Sequence, residues 1–330
     1  MSNILVLGNG FDLYHGLKTK YYDFVQFVKN PYGEDISNEI CNMCKENTFL
    51  KYFIKVCEIN DNWINCEEEI ERVILVLQKI SDINRINRRG RVLLNSDETS
   101  NLEYVIMEYL EKYGYLQNAH CFQYKEEYFT ETVFNKKKIL QDFRQELNQV
   151  IEVLAFYLKM QMLNVEEIPQ YMQIRNIRFN NIINFNYTNT YSKVYCNETP
   201  VFYQHGSLNN YDSMVLGVPD NDDIDLDFVY FKKYFQRIQK RSGILSKEIP
   251  NLQMTVDSGE TIYFLGMSMG KTDEDLIKQI MQYSPEIKIF YYDQNDYEGK
   301  VINLIDILGR KQLEEWIEDG TLGFIKLNGE

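Results

Sequence analysis

The residues best suited to chemistry stand at the ends of short apolar runs. Gly8-Asn9-Gly10 directly follows the run Ile4 to Leu7 and precedes a helix start. Two glycines in such a turn let the backbone approach a phosphate, while the helix end supplies N–H donors and a positive dipole end. The full G-x-G-x-x-G pattern is not completed, because its third place is Leu13. The turn therefore reads as a nucleotide site or as a plain strand-to-helix corner. Asp12 reads as a helix N-cap or as a partner for a ribose or nicotinamide group.

Asn186 closes the apolar stretch that leads into Asn184-Phe185-Asn186-Tyr187-Thr188. Its amide both donates and accepts, so it suits loop backbone, a sugar hydroxyl or a water. His205-Gly206 closes the next stretch, and only His15 and His120 accompany His205 as histidines. An imidazole there can act as a base near neutral pH or serve as a structural residue. Gly266-Met267-Ser268-Met269, with Asp273 shortly after, forms another strand-to-helix turn able to cradle an anion or simply to cap a helix. Four such features on successive strand ends converge as a site, because open α/β sheets bind ligands outside the carboxyl ends of their strands.

The elements that must position these residues follow from periodicity. Residues 3–16 read as strand, glycine turn and helix start. Residues from 20 to 175 read as helical, with Ile139, Phe143, Leu147, Val150, Leu154 and Leu158 forming a stripe at three- and four-residue steps. Ser81 to Ser100 is polar and aperiodic and reads as an exposed loop. From Arg178 the period shortens, and strands are expected at 181–186, 201–205, 214–217, 261–266 and 288–292. The expected organisation is an α/β parallel sheet formed by residues 1–20 and 176–330, interrupted by an α-helical insertion over 21–175.

Composition narrows the function classes. A chain of 330 residues can bury a large core. A net charge of −14 disfavours nucleic acid and anionic membranes as partners. The short basic runs Arg85 to Arg91 and Lys136 to Lys138 read as solvated ends. Six scattered cysteines (Cys41, Cys44, Cys57, Cys66, Cys121 and Cys196) and no signal-like start suggest reduced thiols in the cytoplasm. Cys41-x-x-Cys44 lacks the second pair that a four-cysteine zinc site needs, so no metal is expected. No stretch approaches the ~20 apolar residues of a membrane span.

The run Leu7-Gly8-Asn9-Gly10-Phe11-Asp12-Leu13-Tyr14-His15-Gly16-Leu17 resembles the opening signature of AbiH-type bacteriophage abortive infection proteins. Asn184 to Thr188 and Phe264-Leu265-Gly266-Met267-Ser268-Met269 resemble later motifs of that family. Trp63 with Glu67, and Phe231 to Gln236, resemble it less specifically. In order and type, the same landmarks resemble the wider sirtuin group. That resemblance implies a Rossmann-like, sirtuin-like fold binding NAD as substrate or ligand, with Asn186 positioning the nicotinamide ribose or a water and His205 as general base. It places Gly8, Asn9, Gly10, Asp12, Gly266 and Ser268 around the nucleotide. Lys18, Thr19, Tyr21 and Thr188 depart from the sirtuin pattern, which turns the expectation from lysine deacylation to NAD+ hydrolysis.

The function expected is an anti-phage effector that cleaves the nicotinamide–ribose bond. The alternative is a non-catalytic nucleotide-binding sensor of infection that signals through the helical insertion. A nucleic-acid-cleaving effector is the third reading, lacking a carboxylate cluster or a basic face. The partners expected are NAD or a related nucleotide and a phage-derived trigger, with self-association into a homo-oligomer as a further option.

Overall fold

A computed structural model describes residues 3–33, 36–60, 64–86, 136–163, 165, 172–195, 198–219, 223–243, 261–282 and 284–327. Trp63, His120, Cys121 and Cys196 lie outside the described residues, as does most of the loop expected over 81–100. The chain divides into two compact units: one of residues 1–20, 155–215 and 236–330, the other of residues 21–154 and 216–235.

The first unit is built on a six-stranded sheet in the order β3-β2-β1-β4-β5-β6. The strands are β1 (Asn3–Leu7), β2 (Asn181–Asn184), β3 (Val201–Tyr203), β4 (Thr261–Leu265), β5 (Glu286–Tyr291) and β6 (Leu322–Lys326). Every neighbouring pair is parallel. β1 is central, and Ile4 to Leu7 are all buried, as a strand covered on both faces requires. Alternation along it feeds two cores. Ile4 and Val6 face Ile183, Phe264 and Ile289 with Leu276, Ile277 and Ile280 of the helix Glu274–Gln282. Leu5 and Leu7 face Ile182, Leu265 and Phe290 with Phe11 and Tyr191.

Chain order along the sheet runs outward from β1 to β3 on one side and from β4 to β6 on the other. The reversal point lies between β1 and β4, where open α/β sheets leave a crevice at the strands' carboxyl ends.

Three expectations change. Met214 to Gly217 forms no strand, although Met214, Val215 and Leu216 are buried. Val215 N–H instead donates to the His205 carbonyl at 2.8 Å, so this segment packs as irregular backbone. β6 was not anticipated, because Leu-Gly-Phe-Ile-Lys is too short to declare a period. The helix Cys66–Ile86 also continues into the stretch expected to be loop.

The second unit is helical, with Tyr21–Lys29, Asn38–Glu46 and Thr48–Ile59 as its first helices. Ser37 and Asn47 cap two of them by accepting from the N–H groups of Ile40 and Leu50. Phe49 meets Phe143 edge to face with centroids 5.6 Å apart, in a core that includes Phe24, Phe27 and Phe53. Lys233 Nζ donates to Glu67 Oε2 at 2.8 Å, with both side chains buried. Two stretches that looked separately characteristic in the sequence thus meet in a single ion pair. Among the described residues no helix is long and apolar enough to cross a membrane.

Candidate functional site

The turns after β3, β2, β1 and β4 are tied together in that spatial order. β2 and β3 pair as Ile182↔Val201, Ile183↔Phe202 and Asn184↔Tyr203. Asn186 and His205 each stand two residues beyond the last of these pairs. The rings on either side of Asn186 touch the imidazole: Phe185 at 5.5 Å edge-on and Tyr187 at 6.4 Å between centroids.

Asn186 is then joined to the glycine turn, its Nδ2 donating to the Gly8 carbonyl at 3.0 Å. Asn184 shapes the loop by accepting from the Asn186 N–H at 2.9 Å and donating to the Thr188 carbonyl at 3.0 Å. An asparagine at the strand end makes this possible, because its amide replaces the ladder bonds that the backbone loses.

The β1 and β4 turns lie directly against each other. Gly8 N–H donates to the Leu265 carbonyl at 3.0 Å and Gly10 N–H to the Gly266 carbonyl at 2.8 Å. Gly266 has φ +71°, and a Cβ there would sit 2.2 Å from the Phe11 nitrogen. The glycines at 10 and 266 are thus required by the packing of one turn on the other. The N–H groups of Gly8, Gly10 and Phe11 all donate to main-chain carbonyls.

Asn9 is exposed and pairs with Thr19, accepting from its hydroxyl at 2.6 Å. Ser268 is exposed on the β4 turn, and its carbonyl accepts from Asn303 Nδ2 at 2.8 Å.

Asp12 is buried beneath this arrangement. Thr188 Oγ1 donates to its Oδ2 at 2.6 Å, and Thr190 Oγ1 donates onward to Thr188 at 3.1 Å. Its other oxygen has no hydrogen-bond partner among the described residues. Burial pushes this carboxyl up to about 6, with the threonine hydroxyls opposing the rise. Asp12 therefore anchors the β2 loop from below, through the threonine that stands at the end of the asparagine motif.

Sequence reasoning noted Asp273 only as a helix cap and missed Gln204 and Arg237. His205 Nε2 lies 2.9 Å from Asp273 Oδ1. That distance is close enough for an ion pair, but among the described residues neither imidazole nitrogen makes an aligned hydrogen bond. Arg237, only 4% exposed, places Nη2 3.8 Å from the same oxygen and Nη1 2.9 Å from Asp275 Oδ2. Gln204 is wholly buried, with neither side-chain amide atom hydrogen-bonded among the described residues. A glutamine directly before a histidine at the end of an apolar burst was the available signal for Gln204. Arg237 gave none, because a helical arginine ordinarily faces water.

Among the described residues no group of three or more His, Cys, Asp or Glu is arranged to hold a metal ion. The site's chemistry is that of an imidazole, a carboxylate, a guanidinium and amides, meeting where ligands enter open α/β sheets.

No curated protein and no solved structure matches the chain. The family model described as bacteriophage abortive infection AbiH matches residues 4–293, and the chain accordingly belongs to the AbiH family.

Proposed function

We propose that this protein is an abortive infection effector that hydrolyses NAD+ at a Rossmann-like, sirtuin-like core. Membership of the AbiH family supports the role in defence against phage. The observation that carries the chemistry is that Asn186 and His205 follow the ends of the neighbouring strands β2 and β3, with Phe185 and Tyr187, on either side of Asn186, set against the imidazole.

In this reading water attacks C1′ of the nicotinamide ribose as the C1′–N1 bond breaks. The bond's electron pair neutralises the departing nicotinamide ring, and the water's proton passes to His205. Asn186, held by Gly8 and Asn184, orients the ribose or the water; its worth lies in geometry fixed before the ligand arrives. His205 supplies general base catalysis, ordinarily a contribution on the order of 10²–10⁴-fold.

The test is nicotinamide release from NAD+ by the purified full chain, compared with His205→Ala and Asn186→Ala. Loss in both variants with the fold retained is the expected result. Undiminished turnover in His205→Ala would sink the assignment, and tight NAD+ binding without turnover in the wild type would favour the sensor.

A further inference from the structure

We infer that Asp273 is a positioning residue for His205, fixing its proton on Nε2 so that Nδ1 is the atom that accepts a proton. A carboxylate oxygen 2.9 Å from an imidazole nitrogen is favourable only when that nitrogen carries a proton, since two lone pairs at that distance repel. Neutral imidazole carries one proton, so holding it at Nε2 leaves the lone pair at Nδ1. Nδ1 is buried and has no hydrogen-bond partner among the described residues.

The surroundings act in the same sense. Arg237 Nη2, 3.8 Å from the shared Asp273 oxygen, sets a buried positive charge beside the carboxylate and stabilises its ionised form. Phe185 and Tyr187 limit the ring's rotation. The His205 carbonyl is tied down by the Val215 N–H at 2.8 Å. Catalytic hydrogen bonds are commonly long or bent before a ligand is bound.

The order of the chain helps explain the arrangement. Asp273 closes the single turn Lys271–Asp273 that follows the β4 loop, while His205 follows β3. The pairing therefore spans the turns of β1 and β2, and the loop that carries Gly266 also carries the residue that orients the base.

The catalytic consequence rests on the NAD+-cleaving reading, whereas the tautomer does not. The experiment is long-range ¹H–¹⁵N correlation on the full chain with ¹⁵N-labelled histidine, in alkaline buffer where imidazoles are neutral. Only three histidines are present, and His205→Gln assigns the relevant signal. His15, whose Nδ1 lies 2.7 Å from the Phe11 carbonyl, supplies an internal reference of the opposite tautomer and reports on the fold.

The expected result is Nε2–H for His205 in the wild type, loss of that preference in Asp273→Asn, and its return in Asp273→Glu. An Nδ1–H tautomer in the wild type overturns the proposal. So does an unchanged tautomer in Asp273→Asn with the His15 signal intact. NAD+ turnover is read in parallel. It should fall on the order of 10²–10⁴-fold in Asp273→Asn and recover in part in Asp273→Glu. A wild type with the expected tautomer and no NAD+ turnover would defeat the proposed substrate while leaving the pairing standing.

Discussion

Asn186 Nδ2 donates to the Gly8 carbonyl at 3.0 Å, joining two strand ends that are 178 positions apart in the sequence. The same Gly8 carbonyl also accepts from the Phe11 N–H at 2.9 Å. Loss of the asparagine therefore leaves no orphaned acceptor, and its structural contribution can be separated from the catalytic one proposed for it. Asn186→Ala is expected to lower unfolding free energy by about 1 kcal/mol in urea titrations. Under the proposed reaction its effect on NAD+ turnover should be far larger. A loss of stability above about 3 kcal/mol would mean that the residue is chiefly structural.

Asp12 makes stability depend on pH in an unusual direction. In the folded chain its carboxyl is pushed up to about 6, against 3.8 for an unperturbed aspartate. Between those values the folded state holds the proton more tightly than the unfolded state. Stability is therefore full below the unfolded value and falls as pH rises toward and through the folded one. The effect is roughly 3 kcal/mol, at about 1.36 kcal/mol per pKa unit. Asp12→Asn retains an acceptor for Thr188 and should flatten denaturation midpoints between about pH 4 and pH 6.5. A slope identical to wild type would show that another group titrates there.

Gly266→Ala should be costly for two separable reasons. The new Cβ meets the Phe11 nitrogen at 2.2 Å, and the φ of +71° disfavours any L side chain. A destabilisation of about 2–4 kcal/mol is expected. Thermal unfolding measures it directly. A melting temperature within a degree or two of wild type would show that the β1 and β4 turns can part without cost.

The buried Glu67–Lys233 pair in the helical unit should behave asymmetrically. Replacing one partner, as in Lys233→Met, leaves a carboxylate that is 9% exposed without its counter-charge. The expected cost is about 3–5 kcal/mol. Lys233→Met combined with Glu67→Leu should recover much of it, because the desolvation of both ions is relieved together. Chemical denaturation of the two single variants and the double variant closes the cycle. Additive losses would mean that the ion pair is not the interaction that matters.

Much of this protein was written locally in its sequence. The run Ile4 to Leu7 declares a strand buried on both faces, and the three- and four-residue steps from Ile139 to Leu158 declare a helix. Asn186 and His205 stood out because polar residues end apolar bursts there, and strand ends are where parallel sheets place their chemistry.

Contacts between residues distant in the chain carry no local pattern, and tertiary structure alone decided them. Periodicity cannot state the strand order, which depends on how each crossover packs its helix against the sheet. Asp273 looked like a helix cap until the β4 loop brought it to His205. Arg237 became a buried charge only because Asp273 and Asp275 offset its desolvation. The glycines of the first turn suggested a phosphate cradle by type, whereas their packing is set by Gly266, more than 250 positions away. Sequence thus determined which groups are present and where five of the six strands lie. The fold decided which of those groups meet, because register and burial are properties of the assembled sheet.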